Sequence, residues 1–112
     1  MSTRLPQLIN GEFAQSATDT WIPVTNPATQ EVLCEAPAAT GEEMEQAIAA
    51  AKAAFEEWRE VPVTERARLM MRYQHLLKER HDDIAKVLAK ETGKTFEDAK
   101  GDVWRGIEVV EQ

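Results

Sequence analysis

Four of the five prolines fall within the first 39 residues, and the stretch from Thr40 to Gln112 carries only Pro62. A proline inside a helix removes a backbone donor and costs about 3 kcal/mol, so this distribution confines long helices to the later part of the chain. Residues 1–39 also hold most of the Thr, Ser and Asn. Within them "QLINGEFA" and "WIPVTNP" read as short extended segments separated by the polar turn "AQSATDT", and "EVLCEAP" follows the turn "NPATQ". The residue before Pro27 is held extended by the proline ring. The pattern predicts three short strands, two of them in a hairpin.

From Thr40 the period changes. "TGEE" is a capping box, in which the Thr40 hydroxyl accepts from the Glu43 amide and the Glu43 carboxylate accepts from the Thr40 amide. Met44, Ile48, Ala51, Phe55 and Trp58 then recur at four- and three-residue steps, which predicts one apolar stripe on a helix ended by "VPV". A second helix is expected from Thr64 with Leu69, Tyr73, Leu76 and Leu77 inward. After a break at "HDD", Asp82 is expected to cap a third carrying Ile84, Val87 and Leu88. Gly93 stands where a left-handed C-terminal residue is expected. Thr95, with Asp98, starts a fourth helix lined by Ala99, Val103, Ile107 and Val110. The fold class expected is therefore mostly α with a short N-terminal β element, divided as 1–39 strands and turns and 40–112 four amphipathic helices. The last helix is still in phase at Gln112, which gives the expectation that this is the front part of something larger.

Composition narrows function by exclusion. A hydrophobic fraction of 43% is that of an ordinary globular chain, not a disordered one. A formal net charge of -7 and a pI near 4.8 argue against a nucleic-acid partner, which requires a basic surface. The basic residues Arg66, Arg68, Arg72, Lys78 and Arg80 are interrupted by Glu65 and Glu79 and read as a solvated helix face. The single cysteine, Cys34, cannot form an intrachain disulfide. With no apolar run of signal-peptide or membrane-spanning length, the expectation is a soluble cytoplasmic protein with no membrane partner.

Three motifs invite a chemical reading. "GKT" at Gly93–Thr95 has the tail of a phosphate-binding loop, but the first glycine of such a loop would fall at Leu88, and a helix precedes the motif where a strand is needed. A helix C-cap followed by an N-cap explains the same letters. His75 and His81 do not share a helix face at ligand spacing, and no metal site is expected. Cys34 sits in an alternating strand pattern with no base paired to it by sequence and reads as a packed strand residue. In "GDVWRGIE", Arg105 stands beside Gly106, and its planar fork suits a carboxylate. On spacing alone, however, the favoured reading is an ion pair with Asp102 or Glu108, three residues away on either side.

Taken together, "LINGEF", "VTNPATQEVLCEAP", "AIAAAKAAFEEWR", "RARLMMRYQHLLKE" and "KETGKT" resemble, in order and spacing, the N-terminal part of the NAD-dependent aldehyde dehydrogenase superfamily. "GDVWRGIEVVE" and "NPATQEVLC" are similar to the CoA-acylating methylmalonate-semialdehyde dehydrogenases within it. The resemblance implies the N-terminal part of a Rossmann-like NAD domain, in a homo-oligomeric parent enzyme that converts methylmalonate or malonate semialdehyde, with NAD and CoA, to propionyl-CoA or acetyl-CoA and CO2. It implies that Arg105 helps hold the substrate carboxylate, with Gly101, Asp102, Val103 and Gly106 matching the motif around it. The family's catalytic cysteine, oxyanion-hole asparagine, general-base glutamate and glycine-containing NAD motif have no counterpart in these 112 residues, and Cys34 does not match the nucleophile motif. No catalytic residue, no cofactor-binding residue and no bound cofactor are therefore expected in the isolated chain, which is expected to be inactive by itself. The competing expectation is a free-standing helical interaction protein derived from an aldehyde dehydrogenase.

Overall fold

Thr40 does what its context predicts. In the computed structural model, which describes residues 2–112, its side chain accepts from the Glu43 amide at 3.2 Å, and the Glu43 carboxylate accepts from the Thr40 amide at 2.9 Å. This box opens helix α1, Gly41–Trp58. Three further helices follow: α2, Val63–Glu79; α3, His81–Thr92; and α4, Phe96–Glu111. Ahead of them lie β1, Thr3–Arg4; β2, Gln7–Ile9; β3, Glu12–Ala14; β4, Trp21–Thr25; and β5, Val32–Pro37.

The strand region is richer than its expected three strands. "QLINGEFA" is not one extended segment but a complete hairpin, β2–β3, with Ile9 opposite Glu12. Its two-residue turn, Asn10–Gly11, has φ 54° and 78°. Two successive positive φ values match the right-handed twist of the strands, and Asn-Gly supplies them with little steric cost. The remaining strands form a sheet in the order β1-β5-β4, with β5 parallel to β1 and antiparallel to β4. Cys34 lies on the central strand, opposite Thr3 on one side and Val24 on the other.

Compactness divides the chain at a different place from secondary structure. One unit comprises β1–β5 and α1 and ends at Glu60; the other takes Asn26–Thr29 together with Val61–Gln112. In the first, the Glu43 carboxylate joins the helix to the extended region. Besides Thr40 it accepts from Gln7 Nε2 at 3.1 Å, Ser16 Oγ at 2.8 Å and the Ala17 amide at 2.7 Å. The backbone donations from Thr40 and Ala17, followed by that from Ser16, hold its pKa down at about 2, against an ordinary value of 4.5.

In the second unit α4 carries the core. Ile107 and Ala99 on α4 and Ala85 on α3 are buried, and Val103 and Val110 are half-buried. Here the expected inner face of α4 is the observed one. Elsewhere the periodicity is present but only partly covered. On α1, Met44, Ile48 and Phe55 are each more than half exposed, as are Leu76 on α2 and Val87 on α3. The α2 and α3 stripes are covered in part by α4: Leu77, Ile84 and Leu88 are half-buried, and Tyr73, Leu77 and Ile84 face Val103, Ile107 and Val110. Asp82 is not the cap of α3 either. The helix starts one residue earlier, at His81, with Arg80 as its N-cap and no side-chain bond there. Asp82 instead lies in the first turn, where its negative charge is favourable to the positive end of the helix dipole.

The α3–α4 connection is tight. Gly93 ends α3 at φ 70°, and its amide donates to the Ala89 carbonyl at 2.9 Å. Thr95 caps α4, its hydroxyl accepting from the Asp98 amide at 3.3 Å. A Cβ at Gly93 would lie 2.7 Å from Pro27 Cγ, closer than van der Waals contact allows.

Two predictions follow from these junctions. Gly93→Ala combines a left-handed backbone, costing an L-residue about 1–2 kcal/mol, with the Pro27 overlap, so it should lower the urea midpoint by more than the backbone term alone. A midpoint equal to wild type would show that Pro27 yields freely. Because the Glu43 pKa is depressed on folding, its contribution is fully present above about pH 4.5 and is lost as pH falls towards about 2. Glu43→Gln should therefore be less stable than wild type at pH 7, with the gap closing between pH 4.5 and 2 in urea melts taken across that range.

Candidate functional site

The fourth helix places the candidate residues. Asp102 and Arg105 are three positions apart on α4 and so share a face, and Arg105 Nη1 donates to Asp102 Oδ1 at 2.8 Å. Of the two acidic neighbours spacing offers, Arg105 takes Asp102 and not Glu108. The other oxygen of the same carboxylate, Oδ2, accepts from Lys94 Nζ. Lys94 comes from the short connection between Gly93 and Thr95, so the two caps on either side of it fix its position. The three side chains form a single charged cluster in which one carboxylate faces two cations. The hydrogen bond from Lys94 is the main cause of a lowered Asp102 pKa, with the charges of Lys94 and Arg105 adding to it against partial desolvation.

Exposure differs across the cluster. The side chains of Lys94 and Asp102 are 32% and 34% exposed, whereas Arg105 is 76% exposed. Its guanidinium therefore reaches outward with most of its five N–H donors directed away from Asp102. Gly101 and Gly106 flank this stretch, and a Cβ at either would meet nothing within 4 Å.

The other sequence candidates are placed as follows. Gly93 and Thr95 of "GKT" serve as the α3 C-cap and the α4 N-cap. His75 lies exposed on α2 beside Glu79. His81 Nε2 lies 2.9 Å from the Lys100 carbonyl; a carbonyl only accepts, so that nitrogen carries the proton. Among the described residues no three His, Cys, Asp or Glu side chains gather in a metal-binding arrangement. A concavity of about 500 Å³ opens between α2 and the end of α4, lined by Met70, Met71, Val109 and Val110 among others. Its one carboxylate, Glu111, is already engaged by Lys78 and Gln74, which lower its pKa. Sequence reasoning missed Lys94 as a member of the Arg105 cluster, because the lysine reaches Asp102 across a loop and no helical spacing rule links them.

The profile of the Aldehyde dehydrogenase family matches residues 13–112, and the chain belongs to that family. It is 46% identical over 111 residues to the mitochondrial acylating methylmalonate-semialdehyde dehydrogenase of Arabidopsis thaliana, covering 99% of this chain and 18% of that protein. It is 48% identical over 103 residues to the mitochondrial acylating methylmalonate-semialdehyde/malonate-semialdehyde dehydrogenase of Homo sapiens, covering 92% of this chain and 19% of that one. Among solved structures, the putative methylmalonate-semialdehyde dehydrogenase of Sinorhizobium meliloti 1021, complexed with NAD, superposes with a TM-score of 0.94 at 35% identity, over 99% of this chain and 23% of that chain. The chain thus spans about a fifth of the length of the curated relatives it matches. Among the described residues no helix is long and apolar enough to cross a membrane.

The β5–α1 turn does not have the form that holds a dinucleotide. A dinucleotide's pyrophosphate needs a glycine-rich turn from strand to helix with free amides facing it. The β5–α1 turn reads Pro37-Ala38-Ala39-Thr40, and the Glu43 carboxylate already accepts from the Thr40 amide.

The exposed position of Arg105 has a consequence for stability. Solvent-exposed ion pairs contribute little to folding, so Arg105→Leu should leave the urea midpoint of the chain within experimental error of wild type. A clear drop would identify Arg105 as a structural residue.

Proposed function

We propose that this chain is the N-terminal segment of a CoA-acylating methylmalonate/malonate-semialdehyde dehydrogenase, and that Arg105 holds the substrate's carboxylate there. The observation that carries the reading is the name shared by relatives at 46–50% identity, together with "GDVWRGIE" on α4 presenting an outward guanidinium beside open backbone. A planar guanidinium with free donors binds a carboxylate with two parallel hydrogen bonds. Methylmalonate and malonate semialdehydes carry that group at the end opposite the aldehyde, so one arginine fixes which end faces the reaction centre. The thiolate, the NAD site and the CoA chemistry belong to the remainder of the parent enzyme, which acts as a homo-oligomer. The uncovered apolar residues Met44, Ile48, Phe55 and Leu76 support the same reading: large exposed apolar patches mark surfaces that meet other protein, here the rest of the enzyme.

In the full-length enzyme, Arg105→Leu should lower kcat/KM for malonate semialdehyde by roughly thirty- to a thousandfold, the range for losing a charge-assisted pair in a partly buried site. Propanal, which lacks the carboxylate, should be nearly unaffected. Arg105→Lys should recover little, since an ammonium cannot reproduce the fork. Steady-state kinetics with both aldehydes decide it: an equal fall for the two would mean that Arg105 does not read the carboxylate.

A further inference from the structure

We propose that Lys94 is a positioning residue that keeps Arg105 available to a substrate carboxylate by drawing off the charge of Asp102. The inference rests on the reading of Arg105 given above. Its basis is a count of charges. Asp102 has one negative charge and two cationic neighbours, with Lys94 on Oδ2 and Arg105 on Oδ1. The cluster is left with one uncompensated positive charge, matched to a single incoming carboxylate. Without Lys94, Asp102 and Arg105 would form a neutral pair, and a substrate carboxylate would have to compete with Asp102 for the same guanidinium. With Lys94 in place, Asp102 is held chiefly by the lysine and contacts Arg105 through one nitrogen only. It orients the arginine without saturating it.

The local structure supports this division of labour. Lys94 lies between two caps, Gly93 at φ 70° and Thr95 on the Asp98 amide. Pro27 closes the space behind Gly93. The lysine therefore projects from a connection with little freedom to move, and it is more shielded than the arginine it serves. This gives the lysine of "GKT" a role with no phosphate in it: the glycine and threonine build the turn, and the lysine neutralises a neighbouring acid.

The test uses the full-length enzyme, with Lys94→Met, Lys94→Arg, Lys94→Met combined with Asp102→Asn, and Arg105→Leu. Each is assayed with malonate semialdehyde and with propanal, and with malonate as an unreactive probe inhibiting propanal oxidation. Lys94→Met should raise KM for malonate semialdehyde and the inhibition constant of malonate by about three- to tenfold, the scale of one partly screened charge. Propanal kinetics should stay within about twofold. Adding Asp102→Asn should restore both values to within about twofold of wild type, because it removes the competing acid, and Lys94→Arg should retain them. An equal loss for both aldehydes in Lys94→Met, or no recovery in the double variant, overturns the proposal while a selective Arg105→Leu effect leaves the reading of Arg105 standing. If Arg105→Leu is itself unselective, both fall. A Lys94→Met enzyme too unstable to assay still leaves a decisive comparison: Lys94→Arg with wild-type selectivity supports the charge argument, and loss of malonate inhibition in Lys94→Arg refutes it.

Discussion

The carboxylate of Glu43 is the point on which the first unit depends. It accepts from two backbone amides and two side chains, drawn from β2, from the loop after β3 and from the start of its own helix. Helix capping explains one of these bonds. The others convert a local helix signal into a tertiary clasp: the same two oxygens that end the helix's unsatisfied amides also fix the polar loop at Ser16 and Ala17. A loop rich in small polar residues pays a conformational entropy cost to become ordered, and a charged acceptor with several donors is among the stronger ways to offset it. Without this clasp α1 would keep its helical propensity but lose the three hydrogen bonds that tie its start to Gln7, Ser16 and Ala17.

A comparable economy operates at Gly93–Thr95. Three consecutive residues end one helix, supply a cation and start the next. Gly93 also lets the Pro27 ring approach to a distance no side chain at that position would tolerate. The chemistry proposed for Lys94 and Arg105 thus rests on a turn whose geometry is set by backbone constraints. The charged cluster needs no buried ion pair and avoids the desolvation cost that burial would impose.

Local signals in the sequence were legible and distant ones were not. The Thr40–Glu43 box, the Gly93 C-cap, the Thr95 N-cap and the inner face of α4 all follow from spacing within a few residues, and all are present. Strand pairing was less legible. Nothing in "VLCEAP" announces that its central position brings β1 alongside in parallel, because such pairing joins residues about thirty apart with no local mark. The Asn10–Gly11 turn was a local signal, but strands of three residues on either side are too short for alternation to stand out. Apolar stripes on α1 and α2 were correctly periodic, yet periodicity reports which face could be buried and not whether anything lies over it. At the candidate site, the Asp102–Arg105 pair was visible through its helical spacing. Lys94 was not, since it crosses a loop, and the carboxylate-binding role of Arg105 came from family resemblance and not from the residues themselves.

The second unit is not one continuous stretch of chain: Asn26–Thr29 belongs to it, while the residues on either side of that tetrapeptide belong to the first. During synthesis Pro27 leaves the ribosome well before Gly93, the residue it packs against. At typical elongation rates the interval is on the order of 3–13 s. For that time the helix end against which the tetrapeptide packs does not yet exist. A chain cut after Glu60 would separate the two permanently, and the later piece would carry Gly93 without the proline ring that closes the turn. The boundary between strands and helices is therefore no guide to where this protein can be divided, because the second unit draws a tetrapeptide from within the strand region.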